Sequence, residues 1–375
     1  MDRQAALIIA DSEAHSDLFY ATKFLAPDPF IFIQEDGKKT LVMSDLEVDR
    51  ARLQARVDEV LSYSDVEGKL KSGGAERVGT LDVIDAVLKE KGVRRLLVPA
   101  NFGVAHADGM RARGYALASK PDPFFEARLI KRPEEIEAIS ATQRAVEAAV
   151  EAAIGVMREA TVRDGMLHGP NGVLTSEEIK KIIHLKLMEQ DCVGQHTIIA
   201  CGIQGCDPHN EGSGPLYANQ SIVMDIFPRS SVSRYYADMS RTVVKGRASD
   251  ALKRLYDTVL EAQERAVGEV KSGADGQAIH QRIMDRFEAA GYHTGPKDGR
   301  MQGFFHGTGH GLGLDIHEPP RIAKTPYRLQ TGEVVTVEPG LYYPEIGAVR
   351  IEDMVEVKED GCVNLTRFPK VLEIK

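Results

Sequence analysis

At 375 residues the chain is long for a single hydrophobic core and suits two. Hydrophobic residues at 43% and charged residues at 27% describe an ordinary globular composition, neither disordered nor fibrous. A net charge of -9 with no extended Lys/Arg run argues against nucleic acid as a partner.

From the amino terminus, LIIAD from Leu7, FIFI from Phe30, TLVMS from Thr40 and RLLVP from Arg95 read as short strands. Between them LDVIDAVLKEKGV, from Leu81, has helical spacing and stops at Gly92. This alternation predicts a small α/β domain over residues 1–126. It lacks a phosphate-type glycine loop, so no nucleotide site is expected there. The opening residues show no signal-peptide pattern, and no apolar run nears the roughly twenty residues that cross a bilayer. The expectation is a cytoplasmic protein without a membrane segment.

A second domain is expected over 127–375, entered through a linking helix within 127–160. Pro133 suits a first helical turn, Glu134 and Glu135 suit the positive end of the helix dipole, and Ile136, Ile139, Val146, Val150, Ala153 and Met157 form one apolar face. Thr175 and Glu178 have capping-box spacing ahead of a helix that carries His184, read as structural. Further helices are expected from Ala251 and from Gly276. Four cysteines (Cys192, Cys201, Cys206, Cys362) are too few for a disulfide scaffold. Cys201 and Cys206, near His209, lack a second ligand pair at zinc-finger spacing and read as buried or half-buried thiols.

Chemistry concentrates in residues that interrupt apolar runs. Asp225 breaks SIVMDIF and Asp238 breaks YYADMSRTVV, two runs that can form a hairpin in which directly opposed residues share a face. His310 lies in HGTGHGLGLDIHEPP, whose glycines argue against a helical His-x-x-x-His zinc site on His306 and His310. Glu338 and Glu352 interrupt the strand-like runs VVTVEPG and AVRIEDMVEV. Buried carboxylates need a partner or a cation. Four of them with one imidazole form a hard, oxygen-rich set that suits two divalent ions, of which manganese, cobalt and zinc all qualify.

GTGHGLGLDIHEPP, VVTVEPGLYY and AVRIEDMVEV resemble the signature of the pita-bread metallopeptidases, in particular the Xaa-Pro branch that contains aminopeptidase P and prolidase. The resemblance runs the length of the chain and implies an α/β (α+β) protein: a creatinase-like amino-terminal domain and a pita-bread catalytic domain. It implies that Asp225 chelates one ion, that Asp238 and Glu352 bridge two, and that His310 and Glu338 complete the second. Glu338 would also carry the proton from water to the leaving nitrogen. His209 would contact substrate near the scissile bond, His317 would stabilise the tetrahedral intermediate, and Arg350 would support Glu352 or meet substrate. His306 and Tyr342 would belong to the proline pocket. SDLFYATKF resembles a segment of aminopeptidase P whose aspartate, here Asp17, reaches an active site, sometimes that of a neighbouring subunit; a loop or turn-capping aspartate is the alternative. The chain departs from the family in the length of the Asp225–Asp238 connection, which places substrate contacts over Arg229 to Tyr235 in question.

The activity so implied is removal of the amino-terminal residue from Xaa-Pro peptides, with hydrolysis of Xaa-Pro dipeptides as the close competitor. A homodimer is also implied. A metal-free creatinase-type hydrolase and a non-catalytic binding protein are the remaining alternatives, and both leave the complete ligand set without a purpose.

Overall fold

The computed structural model describes residues 3–375, and the chain divides into two compact units, Met1–Arg128 and Leu129–Lys375. In the first unit a six-stranded sheet runs in the order Glu59–Ser62, Lys38–Met43, Phe30–Glu35, Arg3–Ala10, Val93–Pro99, Ala116–Lys120. It is mixed, because Arg3–Ala10 pairs antiparallel with Phe30–Glu35 and parallel with Val93–Pro99. Successive side chains on a strand point to opposite faces, so each strand serves two cores. Leu7, Ile31, Ile33 and Val42 pack with Val83, Val87 and Leu88 of the helix Thr80–Glu90; Ile8, Phe30, Phe32 and Leu41 pack with Phe24 and Phe124.

The second unit opens with the helix Pro133–Glu159. Its start is closed by Glu135, whose carboxylate accepts the Arg132 amide at 2.8 Å. The expected stripe is buried at Ile139, Val146, Val150, Ala153 and Met157, with Ile136 half-buried. Glu135 is itself buried and accepts the Tyr235 hydroxyl, so this acid also anchors the Asp225–Asp238 connection. Thr175 and Glu178 form the capping box of Ser176–Met188, and His184 on that helix bonds Thr197 at 2.9 Å. Ser249 and Asp275 cap the helices Asp250–Glu269 and Gly276–Ala289. All four cysteines are free, three buried and Cys362 partly so.

Two sheets carry the site. One orders Ile198–Cys201, Ile222–Ile226, Met239–Lys245 and Glu373–Ile374; the other orders Glu318–Ile322, Gly309–Gly311, Val334–Val337, Asp353–Val357 and Cys362–Asn364. The first sheet is tied to the chain leading into the second: the Glu352 amide donates to Ser240 O at 3.1 Å, and Arg350, on the two-stranded sheet of Gly340–Tyr343 and Gly347–Arg350, donates its amide to Thr242 Oγ1 at 3.0 Å. No described helix is long and apolar enough to cross a membrane.

Candidate active site

Asp225 and Asp238 do come from neighbouring antiparallel strands, but they are not directly opposed. The register pairs Asp225 with Ser240 and Ile226 with Met239, leaving Asp238 just before its strand begins. Asp238 is two residues from Ser240 and therefore shares its face, so both carboxylates still point the same way. The connection between them is not a plain turn. Arg229–Ser230 pairs with Cys192–Val193, and the Tyr236 amide donates to Gly313 O at 2.8 Å.

His310 enters from the other sheet on Gly309–Gly311. The glycines beside it are required by close approach: a Cβ on Gly309 would lie 1.8 Å from Thr336 O, and one on Gly311 would lie 2.3 Å from Pro319 O. Glu338 follows the strand Val334–Val337, and Glu352 falls in the joint between Gly347–Arg350 and Asp353–Val357. Both glutamates thus sit where pairing stops, at strand ends rather than within strands.

Asp238, His310 and Glu352 each offer a ligand atom within 4.8 Å of one another. The Nδ1 of His310 lies 3.0 Å from Gly311 O, which can only accept, so Nδ1 carries the proton. Its Nε2 is then a lone pair, facing Asp238 Oδ2 at 3.6 Å and Glu338 Oε1 at 3.4 Å. A lone pair directed at two carboxylates is repulsive unless a cation stands between them. Burial holds the His310 pKa down to about 3, with His317 adding to the effect, so the ring does not supply that cation itself. Asp238 Oδ1 and Glu352 Oε1 are buried without a hydrogen-bond partner. Burial and the neighbouring acids push both groups well above the usual carboxylate range. Glu338, driven mainly by burial and by Asp225 against the pull of Arg350, rises to about 7. The donor set therefore fits divalent metal: orphaned hard oxygens and an imidazole lone pair converge on one place.

Arg350 takes a different partner from the one expected. Its Nη2 meets Asp225 Oδ2 at 2.6 Å, and its Nε donates to Ser240 Oγ at 2.9 Å. Ser240 Oγ in turn lies 2.9 Å from Asp225 Oδ1 and 3.0 Å from Glu352 Oε2, so the arginine reaches Glu352 only through this serine. Arg350 and Glu352, two residues apart, do not lie on one strand, because the strand ends at Arg350.

A cleft of about 760 Å³ opens over these groups, lined by Asp225, Asp238, His310, Glu338, Arg350 and Glu352 and by His209, His306 and His317. His209 and His317 are exposed to it, and the His317 ring stands edge-on to His310 with centroids 4.4 Å apart. His306 is fixed at both nitrogens, Nδ1 2.8 Å from Gly307 O and Nε2 2.8 Å from Tyr342 Oη. Arg350 Nη1 donates to the same hydroxyl at 3.1 Å, so Tyr342 must pass its own proton to His306. Tyr342 is fully buried, placed behind His306 rather than at the cleft surface. Asp17, on the helix Ser16–Thr22 of the first unit, is buried, accepting the Phe124 and Phe125 amides at 3.1 and 3.0 Å and pairing with Arg128 at 3.2 Å.

Two residues escaped the sequence reading. Ser240 joins Asp225, Arg350 and Glu352, and nothing local marked it, because Arg241 and Thr242 follow it as further polar side chains on the same strand. Arg321 lines the cleft, is exposed, and has no side-chain hydrogen bond or ion pair among the described residues. An arginine eleven residues past a histidine carries no signal of its own.

A model of metallopeptidase family M24 matches residues 137–359. The Xaa-Pro dipeptidase of Pyrococcus furiosus is 33% identical over 254 residues, 67% of each chain. A Bacillus subtilis protein described as uncharacterized peptidase YqhT is 28% identical, over 90% of this chain and 88% of its own. Among solved structures, the Xaa-Pro dipeptidase of Bacillus anthracis superposes with a TM-score of 0.83 at 24% identity, covering 99% of this chain and 95% of that one. Aminopeptidase P of E. coli superposes with a TM-score of 0.74 at 22% identity, covering 99% and 93%. At such identities these likenesses show the fold.

Proposed function

The chain belongs to metallopeptidase family M24 and is a metal-dependent peptidase, and from that premise we propose that it cleaves the bond before proline in Xaa-Pro substrates. Asp225, Asp238, His310, Glu338 and Glu352 would hold two divalent ions. The observation that carries this reading is the convergence of the His310 lone pair with the unpartnered oxygens of Asp238 and Glu352. A metal-free hydrolase or a binding protein on the same fold would leave those atoms unexplained.

When bound, the ions supply Lewis acidity to a water nucleophile and to the scissile carbonyl. The residues do the rest. Glu338 is the most open of the acids flanking His310, with its side chain 19% exposed against 6% for Asp238. It is therefore placed to take a proton in the cleft and hand it to the leaving nitrogen, help worth on the order of a hundred- to ten-thousandfold. That nitrogen matters because a bond to proline is a tertiary amide with no hydrogen of its own. His317 and His209 face the cleft as donors to the developing oxyanion and the substrate. His306 is held neutral by burial and by Arg350, at about 3, and with Nδ1 turned to Gly307 and Nε2 to Tyr342 it offers the proline ring an aromatic wall.

Arg321 bears on the balance between the two Xaa-Pro activities. A guanidinium without a partner in the cleft suits the free carboxylate of a dipeptide, and the similarity to the Pyrococcus furiosus Xaa-Pro dipeptidase points the same way. Dipeptide hydrolysis is thus favoured over the aminopeptidase reading that SDLFYATKF suggested. Parallel assays on Ala-Pro and on a longer Ala-Pro peptide, with and without chelator, test this. Hydrolysis of Ala-Pro that stops on chelation is expected; equal or better turnover of the longer peptide would restore the aminopeptidase reading.

A further inference from the structure

Ser240 faces the metal ligands, so its neighbour Arg241 faces the opposite side of the strand. Arg241 is buried, and every nitrogen of its guanidinium is engaged. Nη1 donates to Ser240 O at 2.9 Å and to Glu352 O at 2.6 Å. Nη2 donates to Asp353 Oδ1 at 2.8 Å and to Phe368 O at 2.7 Å, and Nε donates to Pro369 O at 3.1 Å. The other oxygen of Asp353 takes Lys370 Nζ at 2.8 Å, Asn364 Nδ2 at 2.9 Å and Gln263 Nε2 at 3.2 Å.

This clamp falls where the sheet offers no support. Strand pairing stops at Arg350 and resumes at Asp353, so Glu352 has no ladder partner to fix its backbone. Its amide is held by Ser240 O and its carbonyl by Arg241. Glu352 would be a metal ligand, and groups that orient a ligand from behind are worth about 10- to 100-fold in metal affinity. Lysine could keep the charge beside Asp353, but its single ammonium cannot serve five acceptors spread over three segments.

We propose that Arg241, locked by the segment Phe368–Lys370, is the positioning residue of Glu352, so that this carboxy-terminal segment helps set the affinity of the metal centre. The inference rests on the metal reading of the site. Its test is a Co2+ titration of the full chain, followed by visible absorption of the bound ion, with folding of the chelated protein monitored by circular dichroism. Arg241→Lys should fold and bind Co2+ about tenfold or more weakly. Lys370→Met, at a half-exposed position, should weaken it about threefold, in line with one lost charged hydrogen bond one step further back. Lys358→Met, which removes an exposed pair with Glu356 on the same hairpin, should change nothing. If Arg241→Lys fails to fold, Lys370→Met decides alone. Parental Co2+ affinity and spectrum in a folded Arg241→Lys or Lys370→Met would overturn the proposal while leaving the metal site intact. A parent chain that takes up no Co2+ would sink the metal reading, and this proposal with it.

Discussion

Two buried aspartates, one in each unit, show opposite uses of a carboxylate taken out of water. Asp17 is satisfied from within the chain, by two backbone amides and the Arg128 guanidinium. Asp238 is left with one oxygen that accepts nothing and another 3.6 Å from an imidazole lone pair, among three further acids. The first arrangement is complete and stabilises; the second is incomplete, and its repulsion is relieved only by taking up protons or a bound cation. A buried acid is therefore informative about function when its hydrogen bonds do not add up.

The comparison can be broken most severely at Glu338. Glu338→Gln should lower kcat on Ala-Pro on the order of a thousandfold or more, since both a ligand and a proton carrier are lost. The same variant should fold normally, as it removes charge from a crowded site; near-parental kcat would refute the assigned role. Next in size is the exchange of stabilities. Asp17→Asn removes one of the carboxylates that meet Arg128, Asp122 being another at 3.8 Å, and should cost about 1.5–3 kcal/mol in urea unfolding, as for a lost hydrogen bond to a charged group. Asp238→Asn, measured in chelator, should be neutral or stabilising. Equal losses at the two positions would show that the site acids are held by the protein after all.

Smaller, and diagnostic through its sign, is the pH dependence at Glu338. With the ions removed its pKa lies near 7, above its ordinary 4.5. A carboxyl whose folded pKa is raised contributes stability below its unfolded value, and that contribution is lost as pH rises through the folded one. Glu338→Gln does not titrate, so the chelated variant should gain on the chelated parent between about pH 4.5 and 7. The difference should be level above that range; a difference shrinking over it would invert the account. The smallest effect is expected at Tyr342→Phe, which breaks the Arg350–Tyr342–His306 chain. Of the two hydrogen bonds lost, the one that orients the His306 wall is the neutral one, worth about 1 kcal/mol, so KM for Ala-Pro should rise about fivefold with little change in kcat.

Much of this was readable in the chain. Asp225, Asp238, His310, Glu338 and Glu352 announced themselves because each interrupts a run that otherwise belongs in a core or a tight glycine-rich strand. Periodicity placed the helices at Pro133, Ser176, Asp250 and Gly276, since capping residues and apolar spacing are local properties. What depended on register was lost. Asp225 faces Ser240, Glu352 falls in a strand joint, and Arg350 turns to Asp225, because the strand ladder is broken at residues 351–352. The contacts of Asp17 were illegible for a related reason: its partners, Phe124, Phe125 and Arg128, lie more than a hundred residues away. Arg321 and Arg241 were silent because an arginine acquires meaning only from what surrounds it in space.

The most direct test is an anomalous difference map from crystals grown with Co2+. The account requires two peaks enclosed by Asp225, Asp238, His310, Glu338 and Glu352, with Asp238 Oδ1 and Glu352 Oε1 among the contacting atoms. A well-ordered site without density between Asp238, His310 and Glu352 would contradict it.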